Sequence, residues 1–391
     1  MKKKICIFTG SRAEYGLLKP LMNEIQKNSE FQLQVFVSGM HLSTEFGLTY
    51  RDIEIDGFFI DEKVEILLSS DTPVGISKSI GLGLISYSEA LKRLEPDGII
   101  ILGDRFEAFA CAIASTIASI PILHVHGGEL TEGVIDEAFR HSITKMSYLH
   151  FTSTEAYRKR VIQLGENPRR VFNVGALGID NIKNMKLLLK KDLEKELKFK
   201  FGKHNLLITM HSVTLEKDTS KKQFKALLEV LDEQKDTHLI FTKANADTYG
   251  RVINEMIDDF VIKHSSRAIS FTSMGQVKYL STMQFVDAVV GNSSSGIIEA
   301  PSFKIGTINI GDRQKGRIKA ESVIDCKPIK NDIRKAIARL YSKNFQENLI
   351  CVINPYGDGN TTKKIISILK SSNLNNTLKK TFYTINFRKK P

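Results

Sequence analysis

Several kinds of sequence feature are missing from this chain of 391 residues, and each absence argues against a particular class of protein. No charged segment followed by apolar and small residues opens the chain, so we expect a cytoplasmic protein without a secretory signal. The four cysteines, Cys6, Cys111, Cys326 and Cys351, lie far apart and form no paired spacing. This pattern favours reduced thiols over a disulfide framework or a zinc ribbon.

Long apolar runs are also missing. The most membrane-like stretch is Phe106 to Val125, and Glu107 and Pro121 interrupt it. A membrane-spanning helix needs about 20 predominantly apolar residues. We therefore interpret the stretch as a buried alanine-rich helix followed by a strand, and we expect no membrane insertion.

Acidic residues are absent from the C-terminal end. Residues 370–391 contain six Lys and Arg residues and no Asp or Glu, so they contribute half of the net charge of +12. The rest of the chain is only mildly basic, and no RNA- or DNA-binding motif accompanies it. These features favour a small anionic ligand and give no reason to expect nucleic acid as a partner.

Short apolar strands alternate with helical segments along the whole chain. A chain of this length exceeds the size of a single core, so we expect two domains. The predicted fold class is α/β, with two doubly wound Rossmann-like domains that face a central cleft. The expected boundaries are 1–180 for the N-terminal domain, 181–204 for a helical connector, 205–370 for the C-terminal domain and 371–391 for a basic tail.

The first strand, residues 3–9, runs into Gly10 and a helix as in a Rossmann fold, but the glycine spacing of a dinucleotide fingerprint is missing. The second strand ends in Ser38 and Gly39, where an acidic residue would hold a ribose diol. NAD is therefore not expected. Arg12 follows the first strand, where a guanidinium can bind phosphate, although a surface ion pair is the alternative.

Residues 286–299 combine a buried strand, a loop of small residues and the start of a helix. The loop Gly291-Asn292-Ser293-Ser294-Ser295-Gly296 brings backbone N–H groups and hydroxyls together, which favours a bound phosphate. The alternative is an ordinary strand-to-helix turn with a serine cap. Glu299, one turn into the helix, can accept hydrogen bonds from a sugar hydroxyl or cap the turn.

Polar residues follow two neighbouring strands of the first predicted sheet. Asp104 and Arg105 follow strand 98–102, and strand 121–126 puts His124 and His126 on one face. Glu129 follows them, so the group also has the residue types of a metal site. No third histidine lies close in sequence, and we therefore expect no metal.

The segment that follows has a helical pattern from residue 135 to residue 146. Its predicted buried stripe is Ile135, Ala138, Phe139, Ser142 and Met146. The polar residues form two pairs four positions apart, which alone would indicate a solvated face: Asp136 with Arg140, and Glu137 with His141. Their position just after the strand-end cluster favours a catalytic role.

These motifs together resemble the hydrolysing UDP-N-acetylglucosamine 2-epimerases of sialic acid biosynthesis, which have the two-domain glycosyltransferase-B architecture. The resemblance covers nearly the whole chain. It rests on these stretches: Gly10 through Tyr15, Gly103-Asp104-Arg105, His126 through Glu129, Asp136 through His141, Gly291 through Gly296, and Gly311 through Gln314. It implies elimination of UDP across C1 and C2 and hydration of the glycal-like intermediate to N-acetylmannosamine.

The resemblance also implies roles for individual residues, without a cofactor. The candidates for acid, base or supporting roles are Asp104, Glu129, Asp136, His211, His126 and Glu137. The candidates for contacts with UDP or the sugar are Arg12, Arg105, Asn245, Asn292, Ser293, Ser294, Ser295, Gly296, Glu299 and Arg313, with Tyr279 near uracil. We expect the partner to be a UDP-sugar and the protein to be a homodimer or homotetramer.

Two positions depart from the pattern of many relatives: His126 stands where they have Glu, and Ser212 stands where they commonly have Pro. Relatives of this type also act on UDP-2,4-diacetamido-2,4,6-trideoxyglucose. Two alternatives therefore stay open at this point: the same chemistry on that diacetamido sugar, and a glycosyltransferase of the same architecture.

Overall fold

The chain folds into two α/β units, each built around a parallel sheet, in a computed structural model. The structure describes residues 2–68, 72–131, 135–211, 220–243, 250–272, 274–374 and 379–385. Unit 1 comprises residues 1–129, 135–181 and 356–391, and unit 2 comprises residues 130–134 and 182–355.

Unit 1 contains a seven-stranded sheet in the described part of the chain, with the order β3-β2-β1-β4-β5-β6-β7 and parallel pairing throughout. Its strands are β1 (Lys3–Thr9), β2 (Phe31–Ser38), β3 (Glu62–Val64), β4 (Gly98–Leu102), β5 (Ile122–Val125), β6 (Leu149–Thr152) and β7 (Val171–Asn173). The central strands are apolar on both faces because helices cover both sides.

The helices of unit 1 connect these strands. They are α1 (Arg12–Lys27), α2 (Tyr50–Ile55), α3 (Pro73–Leu94), α4 (Phe106–Ile117), α5 (Asp136–Met146) and α6 (Glu155–Gln163). Helix α7 (Leu177–Asn184) follows β7, and its last three residues belong to unit 2. The segment Phe106 to Val125 is α4 followed by β5, as predicted from its composition. In the described ranges, no helix is both long enough and apolar enough to cross a membrane.

Unit 2 repeats the arrangement with a six-stranded parallel sheet among its described residues, in the order β10-β9-β8-β11-β12-β13. Its strands are β8 (His204–Thr209), β9 (Thr237–Thr242), β10 (Ala268–Phe271), β11 (Ala288–Gly291), β12 (Gly306–Ile310) and β13 (Val323–Cys326). Its helices are α8 (Lys190–Leu197), α9 (Ser220–Glu233), α10 (Gly250–Lys263), α11 (Gly275–Met283), α12 (Ser294–Ile298), α13 (Lys330–Leu340) and α14 (Lys343–Leu349).

The last helix, α15 (Thr361–Ser371), belongs to unit 1, although the sequence-based boundary assigned residues up to 370 to the second domain. Asp180 is buried and accepts the backbone N–H groups of Thr361 and Thr362 at 2.8 and 2.6 Å. Apolar side chains of α15, including Ile365 and Leu369, pack in the core of unit 1. Helix α15 packs on unit 1 because Asp180 caps its first turn and its apolar side chains are buried in the core of that unit.

The expected basic tail also has structure where it is described. Leu374 is buried in the core of unit 1. Lys380 donates to the Glu166 carboxylate at 2.9 Å and to the backbone oxygen of Ser147 at 2.8 Å. Residues 371–374 and 379–385 are therefore part of unit 1 rather than a separate charged extension.

Replacing Asp180 by Ala should destabilise the protein by roughly 1–3 kcal/mol, because the change leaves two buried N–H groups at the start of α15 without their charged acceptor. Thermal unfolding followed by circular dichroism measures the effect. Asp358→Ala is the matched control, since Asp358 is an exposed carboxylate beside the same helix, and it should change stability by less than about 0.5 kcal/mol. Equal melting temperatures for the two variants would contradict this account of α15.

Candidate functional site

The strand order of unit 1 reverses between β1 and β4, which are hydrogen-bonded neighbours in the sheet. In open parallel sheets, ligands bind beyond the carboxyl ends of the strands at such a reversal. Gly10 and Ser11 follow β1 there, and Gly103 and Asp104 follow β4. The sequence motifs after these two strands therefore lie at the expected edge of the sheet.

Arg12 is the first residue of α1 and lies on the surface of unit 1. Its Nε atom is 3.9 Å from Asp52 Oδ2, and about half of its side chain is exposed. Exposed ion pairs of this length contribute little to stability. The predicted alternative, a surface ion pair, is thus present, and the guanidinium is accessible to an anion.

Arg105 lies among carboxylates at the same edge. It donates to the fully buried Glu107 at 3.0 and 3.2 Å, and its Nε atom is 4.0 Å from Glu14 Oε1. Burial disfavours its charge, but the carboxylates of Glu107, Glu14 and Asp136 outweigh burial and raise the pKa of the guanidinium. Glu14 and Glu107 belong to this cluster as well, although their spacing in the sequence did not predict it.

Glu14 is a buried carboxyl group with an unusual proton affinity. Burial raises its pKa to about 7, and the neighbouring Glu107 adds to the rise, whereas Arg105 and the Gly10 N–H, 2.7 Å away, oppose it. At neutral pH the protonated and ionised forms are therefore both populated. This edge of unit 1 can accept or release a proton under physiological conditions.

Asp104, the first candidate base, pairs with Arg140 of α5. Arg105, its neighbour in the sequence, donates to Glu107 instead. The Arg140 side chain is 5% exposed and that of Asp104 is 20% exposed. Asp104 is thus held as an ion pair by a buried cation, and its side chain is partly exposed.

Glu137 connects the same guanidinium to a histidine. Its Oε2 atom accepts from Arg140 Nη1 at 3.2 Å, and its Oε1 atom lies 3.1 Å from His141 Nε2. The pairing of Glu137 with His141 was predicted from their spacing, whereas the pairing of Arg140 with Asp104 and Glu137 was not. Both oxygens of Glu137 therefore have partners within unit 1.

Helix α5 does not bury the stripe that its sequence predicted. Ile135 is 70% exposed, and Ala138 and Ser142 are also exposed. The residues of α5 that are buried are Arg140, Ile143 and Thr144. The helix thus turns a charged side chain inward, where the Asp104 carboxylate after β4 and the Glu129 backbone oxygen after β5 accept hydrogen bonds from it.

Glu129 is buried, and three neighbours fix its position. Ser153 donates to Glu129 Oε1 at 2.8 Å, and Arg140 donates to the Glu129 backbone oxygen at 3.0 Å. The preceding Gly128 has a positive φ of 79°, and a Cβ atom there would lie 2.6 Å from the Tyr157 backbone oxygen. Only glycine fits this turn, so the loop presents Glu129 in one arrangement.

His126 faces the same carboxylate. Its Nε2 atom accepts the Leu177 N–H at 3.3 Å, so the neutral ring carries its proton on Nδ1, which is 3.6 Å from Glu129 Oε1. The residue has a left-handed backbone with φ of 65°, a strained conformation for a side chain other than glycine. Such strain is typical of residues whose position serves a site.

His124 has a structural position instead. Strand β5 ends at Val125, so the predicted alternation that put His124 and His126 on one face does not hold. His124 is fully buried, and its Nε2 atom lies 2.8 Å from the Gly103 backbone oxygen. Burial lowers its pKa to about 3, so the ring is neutral. Among the described residues, no three His, Cys, Asp or Glu side chains form a group that could hold a metal ion.

The strand order of unit 2 reverses between β8 and β11, and the residues that follow these strands contact each other. Asn292 accepts the His211 N–H at 2.7 Å through Oδ1 and donates to the His211 backbone oxygen at 2.8 Å through Nδ2. Gly291, with φ of 133°, permits this approach, because a Cβ atom would lie 2.0 Å from the Thr209 oxygen. Asn292 is thus a buried connector that positions His211.

The serine loop follows as predicted, although its helix is short. Ser293 caps α12 by accepting the Ser295 N–H at 3.3 Å, and Ser294 is the first helical residue. Gly296 packs against Thr307, whose hydroxyl donates to the Gly296 oxygen at 2.6 Å. Because α12 has only five residues, its macrodipole is small, and any anion bound here depends mainly on individual N–H and hydroxyl groups.

Tyr279 and Glu299 lie beside this loop. Burial raises the pKa of the Tyr279 hydroxyl and the Glu299 carboxylate adds to the rise, whereas hydrogen bonding with Ser295, Thr209 and Ser293 opposes it. Glu299 ends α12 as its C-cap residue.

Arg313 and Gln314 contact the backbone of Asn292. Arg313 Nη1 and Gln314 Nε2 both donate to the Asn292 oxygen, at 3.1 and 2.9 Å. The candidate residues His211, Asn292, Ser293 and Arg313 thus form one group in unit 2. Asn245 lies outside the described residues, as does Ser212.

Comparisons with known proteins show which family and which relatives this chain resembles. The sequence model of the family described as UDP-N-acetylglucosamine 2-epimerase matches residues 23–370. A protein of Campylobacter jejuni named GDP/UDP-N,N'-diacetylbacillosamine 2-epimerase (hydrolyzing) is 48% identical over 97% of this chain and 99% of its own length. The polysialic acid biosynthesis protein P7 of Escherichia coli is 40% identical over 94% of each chain.

A solved structure is similar along nearly the whole chain. It is the crystal structure of a protein of Listeria monocytogenes titled as a UDP-N-acetylglucosamine 2-epimerase, with a TM-score of 0.83, 20% sequence identity and coverage of 98% of this chain and 100% of that one. Together with the two parallel sheets, this likeness confirms the predicted fold class, two Rossmann-like domains of the glycosyltransferase-B type.

The raised pKa of Glu14 predicts a pH-dependent stability that Glu14→Gln removes. The ordinary pKa of a glutamate is 4.5 and that of folded Glu14 is about 7, so the contribution of Glu14 is fully favourable below pH 4.5 and is lost as pH rises through 7. Glutamine mimics the protonated form. Between about pH 5 and pH 8, the melting temperature of the variant should therefore rise relative to that of the wild type, by an amount equivalent to roughly 2–3 kcal/mol.

Glu24→Gln is the control for this comparison, because Glu24 is exposed on the same helix. Its melting temperature should follow that of the wild type across the pH range. A constant difference between the Glu14→Gln and wild-type proteins would mean that Glu14 does not titrate near neutrality.

Proposed function

Because the chain belongs to the UDP-N-acetylglucosamine 2-epimerase family, we propose that this hydrolysing UDP-sugar 2-epimerase acts on UDP-N,N'-diacetylbacillosamine, which is UDP-2,4-diacetamido-2,4,6-trideoxyglucose. The choice of substrate rests on one observation. The relative named for this sugar is 48% identical over almost the full length of both chains. The products would be UDP and the free 2,4-diacetamido-2,4,6-trideoxymannose.

The proposed reaction has two halves. In the first, a base removes the C2 proton while the bond between C1 and the diphosphate oxygen breaks, so UDP leaves and a C1–C2 double bond forms. In the second, water adds its hydroxyl to C1 and a proton reaches C2 on the face opposite to the first. The weakly acidic C2–H needs a positioned base, and the diphosphate needs hydrogen-bond donors that stabilise its developing charge.

We assign the proton transfers to unit 1. Asp104 suits the base because Arg140 favours its ionised form and its side chain is partly exposed. Glu129 and Asp136 are the candidates for the other proton transfers. Glu129 is supported by Ser153 and His126, and Asp136 begins α5 near the charge of Arg105.

We assign the nucleotide to unit 2. The serine loop supplies hydroxyl and N–H groups for the diphosphate, with Arg313 as the cation beside it. Asn292 positions His211 for contact with the substrate. Glu299, Tyr279 and Asn245 remain candidates for the ribose and uracil, and Arg12 and Arg105 for other polar groups of the substrate.

UDP-N-acetylglucosamine is the second candidate substrate, with N-acetylmannosamine as the product. Its support is the 40% identity to the polysialic acid biosynthesis protein P7, together with the motifs of the sequence. The two sugars differ at C4 and C6, so one enzyme is expected to prefer one of them strongly if its site binds the 4-acetamido group through hydrogen bonds.

A direct comparison of the two sugars tests the substrate. The protein is incubated with each UDP-sugar in turn, and with the GDP-linked diacetamido sugar, while 31P and 1H NMR follow the nucleotide and the free sugar. The expected kcat/KM is at least about tenfold higher for UDP-N,N'-diacetylbacillosamine than for UDP-N-acetylglucosamine. No acceptor other than water should be needed.

The other possible outcomes would overturn either the proposed substrate or the proposed reaction. A preference for UDP-N-acetylglucosamine would overturn the proposed substrate and favour the second candidate. A strict need for a sugar or lipid acceptor would instead indicate a glycosyltransferase. Asp104→Asn, purified in the same way, controls for contaminating enzymes and should lose roughly 100-fold to 10,000-fold in kcat.

A further inference from the structure

Arg140 is the charged side chain that most residues of the unit 1 cluster share. Through Nη1 it donates to Glu129 O at 3.0 Å and to Glu137 Oε2 at 3.2 Å, and through Nη2 it donates to Asp104. These partners come from three places in the chain, the loops after β4 and β5 and the first turn of α5. A single guanidinium thus connects three of the segments that carry candidate catalytic residues.

Stability alone is a poor reason for this arrangement. Burying an arginine with two carboxylates costs several kcal/mol of desolvation per ion, and apolar side chains of similar volume often stabilise a protein equally well. Helix α5 even leaves Ile135 exposed while it buries Arg140. The inward charge is therefore better explained by what it holds than by the packing it provides.

The shape of the guanidinium suits this task. Its N–H groups lie in one plane and point in fixed directions, so it can hold several acceptors at defined distances from one another. It also places one positive charge beside both the Asp104 and the Glu137 carboxylates. A lysine ammonium at this position would keep the charge but could not span the same set of acceptors.

We propose that Arg140 is the positioning residue of the acid–base cluster, and that Glu137 acts by holding Arg140 rather than by transferring protons. This inference rests on the proposed function for its kinetic consequences. Arg140 fixes the carboxylate of Asp104 and the loop of Glu129 relative to each other. Both oxygens of Glu137 are engaged, one by Arg140 and one by His141.

Arg140→Lys tests the proposal because it preserves the charge and removes the fork. We expect kcat to fall about 100-fold, as misplacement of catalytic groups by an ångström can cause, while the dissociation constant of UDP measured by calorimetry stays within about threefold. Arg93→Lys is the matched control, since Arg93 makes a two-bond pair with Glu62 on the surface of the same unit. Full kcat in Arg140→Lys would overturn the proposal.

Glu137→Gln tests the second part without removing the arginine. A residue that only holds Arg140 should cost about tenfold in kcat or less, whereas a true proton donor or acceptor costs roughly 100-fold to 10,000-fold. In the Asp104→Asn background, Arg140→Lys should cost less than about tenfold more, because the arginine acts through Asp104. Full additivity of the two changes, or a loss of the catalytic size in Glu137→Gln, would contradict the proposal.

A measurement without turnover separates this inference from the proposed function. In protein labelled with 15N-arginine, a held guanidinium gives slowly exchanging side-chain N–H signals, and the signal missing from Arg140→Lys identifies Arg140. Asp104→Asn and Glu137→Gln should each shift that signal and accelerate its exchange. If no such signal exists in the wild type, the inference fails. If the signal behaves as expected but no UDP-sugar is turned over, the proposed function alone has failed.

Discussion

Parallel strands all end at the same edge of their sheet, and this constraint determines where the polar residues of both units lie. In unit 1 the loops after β1 and β4 meet at the reversal of strand order. In unit 2 the loops after β8 and β11 do the same, and the Asn292 side chain fastens the two by bonding both backbone polar groups of His211. Each unit therefore places its candidate site at the same position of its fold, with glycines where the loops approach most closely.

The chemistry of unit 1 depends on carboxylates that are largely buried and paired with arginines. Asp104 and Glu137 share Arg140, and Glu107 holds Arg105. Burial raises the pKa of Glu14 to about 7, and Arg105, 4.0 Å away, opposes the rise only in part. The same edge thus contains carboxylates paired with arginines and one carboxyl that is half protonated near neutrality. A reaction that removes a proton and later returns one needs groups that can accept and release protons.

Most of the fold could be predicted from the sequence because buried strands of a parallel sheet are short apolar runs, and the polar loops after them mark their ends. The inward orientation of Arg140 could not be predicted. A helical pattern shows that α5 has an apolar and a polar face, and Ile135 suggested that the apolar face is buried. The face that is buried instead depends on Asp104, 36 residues earlier in the chain. The connecting role of Asn292 and the return of α15 to Asp180 depend likewise on contacts between distant residues, which spacing alone does not reveal.

The proposed mechanism requires that a carboxylate of unit 1 removes the C2 proton and that a solvent-exchanged group later returns one. Turnover of the preferred UDP-sugar in D2O, with the free sugar analysed by NMR, tests this claim most directly. The account predicts one deuterium at C2 of the released sugar, inverted C2 stereochemistry and release of UDP in equal amount. Retention of protium at C2 would mean that water displaces UDP without elimination, and would contradict the assignment of acid–base roles to this cluster.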